Sequence, residues 1–243
     1  MQRSKLSDDK LNILLFDYVL KRKTEDGTMT ENPIVLKNIM TNDIVDDIAK
    51  EYGVGVVTIS PDEHQGAIKF NSDPQNNIIY SFCTHYPLVP IGSMEYDQMV
   101  LDMENYYMAF RKNLQEAIND LYSQYGYFKD ENLTMRYGTL GGAQNLLKTM
   151  GNSEIHTFAG YKILGQAFYK DCPCEIYDIL SDKELLCENL LEYELNSGVR
   201  MILYPDETKE IVNMHICAKG KSKSLVIHVI SNLENFMKSR QYL

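Results

Sequence analysis

The residues with the most reactive chemistry in this chain fall in a few short clusters. Cys83 and His85 place a thiol and an imidazole two positions apart, around Thr84, at the end of the apolar run 78-IIYSFC-83. Such groups make a nucleophile–base pair only within hydrogen-bond reach of each other and with a third group orienting the base. A spacing of two at a strand end provides neither, so these three residues are read as half-buried strand-end positions. Cys172 and Cys174 form CPC rather than the CxxC of zinc or redox sites, and are read as incidental thiols. Asp8–Asp9 and Asp46–Asp47 are adjacent pairs, better suited to helix starts and solvated faces than to a cation loop. The five histidines, at 64, 85, 156, 215 and 228, are scattered, with His215 and His228 expected on a strand and a helix. No metal site and no Ser–His–Asp arrangement is expected.

Two phrases imitate phosphate loops. 218-AKGKS-222 has the tail of a Walker A loop, but His215 stands where the loop needs its earlier glycine. 139-TLGGAQN-145 places two glycines before a helical pattern, which could offer backbone N–H groups to an anion; a turn is the plainer reading.

These clusters need elements to hold them. With 243 residues the chain can bury a real core, and 44% apolar and 24% charged residues are ordinary for a globular protein. A net charge of −10 opposes the basic field that nonspecific nucleic-acid binding requires, so no nucleic-acid partner is expected. No apolar run reaches the roughly 18 residues of a membrane span, and MQRSKLSDDK lacks a signal-peptide core. Five cysteines without framework spacing fit a reducing cytoplasm.

Helices are expected over 7–22, with a stripe of Leu11, Leu14, Leu15, Tyr18 and Val19, and over 42–53, 94–124, 139–150 and 222–240. Strands are expected over 34–40, 54–60, 78–83, 131–137, 159–169 (two short pieces), 190–195, 199–204 and 211–218, with Asn196–Gly198 as a hairpin turn. Alternation in the first half predicts an α/β layer. The run of strands in the second predicts an α+β unit. The boundary is placed near 126–130, giving domains 1–126 and 127–243.

The order of these phrases resembles the α-D-phosphohexomutases, the phosphoglucomutase and phosphomannomutase family, over the third and fourth domains only. The carrying stretches are 11–56, from LNILLFDYVL to the second strand, 113-NLQEAINDLYSQYGYFKDE-131, 157-TFAGYKILGQAFY-169, the hairpin 199–218 and AKGKSKS. The resemblance implies an α/β third-domain-like layer, then a TBP-like antiparallel sheet with helices on one side. Family enzymes also use a phosphoserine and an acidic magnesium loop from their first two domains, which this stretch does not include. No cofactor is therefore expected in this chain, magnesium belonging to the absent domain.

The family's sugar-reading loop, two glutamates and a serine, falls on Cys83, Thr84 and His85, without the carboxylates that would accept sugar hydroxyls. Its phosphate-gripping loop falls on 204-YPDETKEI-211. Tyr204 stands for the arginine, Asp206 for the serine and Glu207 for the glycine, while Pro205 and Thr208 are kept and Lys209 alone adds a cation. Loss of a bidentate guanidinium and gain of two carboxylates predict an abolished anion cup. The expected function is a non-catalytic binding or interaction module, with a protein partner or self-association and at most weak hexose phosphate binding. The alternative is the C-terminal part of a split or longer phosphohexomutase.

Overall fold

The computed structural model describes residues 6–59, 77–83, 88–136, 156–169, 190–206 and 211–240. Among these, two compact units are present, one running through Tyr125 and the other beginning at Gly126.

In the first unit, α1 (Asp8–Glu25) starts on two aspartates and carries Arg22 and Lys23 in its last turn, a charge order that favours the helix dipole. Its buried side chains are Ile13, Leu14, Leu15, Phe16, Asp17 and Leu20. The expected stripe is corrected: Leu11, Tyr18 and Val19 are only half-buried, and the apolar face is turned toward Phe16. Strands β1 (Pro33–Asn38), β2 (Gly55–Ile59) and β3 (Asn77–Ser81) form a parallel sheet in the order β2-β1-β3. Between β1 and β2 runs α2 (Ile44–Glu51), whose Ile44, Val45, Ile48 and Ala49 are buried. Parallel neighbours require such a crossover.

The long helix expected over 94–124 is two helices, α3 (Met94–Ala109) and α4 (Leu114–Tyr125). The break contains Arg111 at φ 59°, a left-handed conformation that no helix interior tolerates. Ser93 caps α3, its hydroxyl accepting from Tyr96 N at 3.1 Å. Asn113 and Glu116 cap α4 reciprocally.

The second unit is a six-stranded antiparallel sheet with the order β4-β9-β8-β7-β6-β5. The strands are β4 (Tyr127–Arg136), β5 (Thr157–Phe158), β6 (Tyr161–Tyr169), β7 (Leu190–Leu195), β8 (Val199–Asp206) and β9 (Ile211–Gly220). The first begins four residues before the expected 131. The final helix, α5 (Lys223–Arg240), packs across β4 and β9. One sheet face supplies Tyr193, Met201, Leu203, Met214 and Ile216 to a core closed by Val226, Ile230 and Leu233 of that helix. The β7–β8 hairpin turns at Gly198, φ 73°, where a Cβ would stand 2.5 Å from the Lys219 carbonyl oxygen. Only glycine fits there. The helix expected over 139–150 lies outside the described residues.

Candidate functional site

Cys83 follows β3 and is buried with Leu36, Val57 and Ile59 in an apolar cluster. A thiol so placed is a core side chain. Thr84 and His85 lie outside the described residues, as do Cys172–Cys174 and 139-TLGGAQN-145. Asp8 and Asp9 sit in the first turn of α1. Asp46 has a further role, its carboxylate lying 2.5 Å from Nζ of the buried Lys37, with Asp43 at 3.5 Å. In AKGKS, Ala218–Gly220 complete β9 and the Ser222 hydroxyl accepts from Leu225 N at 3.3 Å, so the phrase ends a strand and caps α5.

Tyr204, Pro205 and Asp206 belong to β8. They stand opposite Asn213, Val212 and Ile211 in an unshifted antiparallel register. Glu207, Thr208 and Lys209 lie outside the described residues. Arg200, earlier on β8, stands opposite Cys217 of β9 and Glu194 of β7.

The sheet face opposite the apolar core holds a polar group that the sequence reading did not assemble. Directly opposed residues on paired strands share a face. Asp130 opposes Cys217, which opposes Arg200; one step along, Asn132 opposes His215. The middle of this face is withdrawn from water, with His215 and Cys217 5% and 3% exposed and Phe128, Leu190 and Ile202 buried, while Asn132 and Glu194 on the same face are exposed. His215 Nδ1 lies 2.7 Å from Asn132 Oδ1. With an amide oxygen as its neighbour Nδ1 carries the proton, so Nε2 carries the lone pair. Arg200 Nη2 lies 3.7 Å from Cys217 Sγ, and its Nη1 lies 3.6 Å from Glu192 Oε1. One ligand-type atom each from Asp130, His215 and Cys217 lies within 4.8 Å of the other two. The signal available in the sequence is the two-residue spacing of His215 and Cys217, and of Asp130 and Asn132, which puts each pair on one strand face.

The first unit has its own polar centre at Asp17, 1% exposed at the middle of α1. Lys21 Nζ lies 2.5 Å away, and the Tyr107 and Tyr52 hydroxyls donate at 3.2 and 3.5 Å. Burial raises the Asp17 carboxyl above its ordinary value, and Lys21 opposes that shift. Burial also raises Tyr52, Tyr107 and Tyr106, the last to about 12, with Glu25 adding to it. These phenols stay protonated near neutrality and act as donors rather than bases.

No family model matches the chain and no curated protein matches it. Among solved structures it is weakly similar to a phosphoglucomutase/phosphomannomutase family protein of Burkholderia thailandensis, at 11% identity and a TM-score of 0.45. The match covers 95% of this chain and 41% of that one, so the chain spans less than half the length of this neighbour. A likeness of this size bears on neither the site nor the activity.

Proposed function

We propose that the chain is a non-catalytic binding or interaction module on a scaffold related to the third and fourth domains of the phosphohexomutases. The observation that carries this reading is the β8–β9 register from Tyr204↔Asn213 to Asp206↔Ile211. Pro205 has no N–H, and the Tyr204 and Asp206 N–H groups stand roughly 6.5–7 Å apart along an extended strand, so they do not converge on one anion. A phosphate cup needs converging donors and a cation. The corresponding stretch has neither the geometry over 204–206 nor the guanidinium, and it carries Asp206 and Glu207. Each charge-assisted hydrogen bond lost is worth about 1.5–3 kcal/mol, and added carboxylates repel a dianion further.

A protein partner or self-association in the cytoplasm is the remaining use for such a scaffold. Met94, Leu101 and Met108 support it: they recur every seven residues along α3, all exposed, the first of them 89%. Residues seven apart share a helix face.

The test is a melting titration with glucose 1-phosphate, glucose 6-phosphate and glucose 1,6-bisphosphate. A ligand at 100 times its dissociation constant stabilises by about 2.7 kcal/mol, a plain shift in Tm. No shift is expected at millimolar ester. Saturable stabilisation in the micromolar range overturns the proposal.

A further inference from the structure

We propose that Asp130, His215 and Cys217 bind one divalent transition metal ion of the zinc type on the polar face of the six-stranded sheet. The inference rests on the β4–β9 ladder alone and is independent of the phosphohexomutase reading.

The donor set selects the class of ion. Thiolate, imidazole and carboxylate together suit zinc and cobalt, whereas magnesium and calcium want oxygen alone. Ligands around a four-coordinate zinc stand roughly 3.5 Å apart, given bonds of about 2.0–2.3 Å. The three ligand atoms here already lie within 4.8 Å of one another. Side-chain torsion can close the remaining gap of about 1 Å, because Asp130 and Cys217 oppose each other and His215 lies on the same face of the same strand as Cys217.

The surroundings fit a bound cation. Asn132 Oδ1 beside Nδ1 leaves a lone pair on Nε2, the outer hydrogen bond that metal-binding histidines commonly have. Two anionic ligands offset a divalent charge, and Arg200 is offset separately by Glu192. Asp130 is half-buried while the other two ligands are buried, which gives the ion a way in from one side. Three protein ligands leave a fourth position open.

The experiment is a cobalt titration of the tag-free, chelator-stripped full chain. One equivalent of Co2+ is expected to produce a near-ultraviolet thiolate charge-transfer band and visible d–d bands, both removed by one equivalent of Zn2+. The charge-transfer band should vanish in Cys217→Ser and persist in a Cys83→Ser/Cys172→Ser/Cys174→Ser/Cys187→Ser variant. Asn132→Ala, which removes no ligand, should weaken Co2+ binding about 10–100-fold. No thiolate band in the wild-type chain at micromolar cobalt overturns the proposal, whatever the variants do. So does a band that survives Cys217→Ser or disappears in the quadruple variant.

Discussion

Asn113 and Glu116 hold each other's backbone across the start of α4. The Asn113 side-chain oxygen accepts from Glu116 N at 3.0 Å, and Glu116 Oε2 accepts from Asn113 N at 2.8 Å. This capping box satisfies two N–H groups that a helix start otherwise leaves to water. It also explains why a continuous apolar pattern over 94–124 breaks into two helices. Asn113→Ala should cost about 1 kcal/mol, read as a lower urea midpoint, and Glu116→Ala should cost less. An unchanged midpoint in Asn113→Ala would deny the cap any role.

Asp17 sets a pH dependence of definite sign. Burial raises its folded-state pKa above the ordinary 3.8. Between these two values the unfolded chain has released the proton and the folded chain keeps it. Asp17 therefore contributes most to stability at low pH, and that contribution falls as pH rises through the window. The stability difference between the wild-type chain and Asp17→Asn, from urea unfolding at several pH values from 4 to 7, should shrink or reverse with rising pH. A difference that grows with pH contradicts the account.

Lys37 and Asp46 form a half-dry ion pair, the lysine 4% and the aspartate 42% exposed in their side chains. Removing the Asp46 carboxylate leaves the buried cation only the more distant Asp43, at 3.5 Å, while removing the ammonium leaves two half-solvated carboxylates. Asp46→Ala should therefore destabilise by about 1–3 kcal/mol, a fully buried pair's cost reduced for solvent screening, and Lys37→Met by less. Chemical denaturation of both variants checks the order. The reverse order would mean that the lysine's attraction, and not its burial, dominates.

Gly198→Ala puts a methyl group into the Lys219 carbonyl oxygen at a residue with φ 73°. The left-handed conformation alone should cost about 1–3 kcal/mol, and the contact adds to it. Lys219 N donates to the Gly198 carbonyl at 2.9 Å, so exchange of the Lys219 amide should accelerate as the hairpin loosens. Unchanged exchange would show that the turn relaxes without strain.

Local pattern carried much of the architecture into view. Ile44, Val45, Ile48 and Ala49 mark α2 by period, and Asn196–Gly198 mark a hairpin by turn chemistry. The register of β7–β8–β9 follows because one face is apolar at every second residue and a slip would expose it. The α3–α4 break was hidden because its signals, Asn113 and Glu116, lie inside an otherwise helical run. The apolar face of α1 was misjudged because Asp17, a charged residue, is buried within it. The polar face of the large sheet was invisible for a different reason. Asp130 and Cys217 are 87 positions apart, and only strand pairing makes them neighbours. Charge at Asp206 and Glu207 could be read from the letters alone. The strand geometry at Tyr204–Asp206 required the ladder.

No hexose phosphate is expected to seat against Tyr204–Thr208, where β8 ends. A crystal of the protein soaked in glucose 1,6-bisphosphate tests it most directly. The expected result is no ester density against Tyr204–Thr208, with Tyr204–Asp206 still paired to Ile211–Asn213. A phosphoryl group held there by converging backbone N–H groups would contradict it.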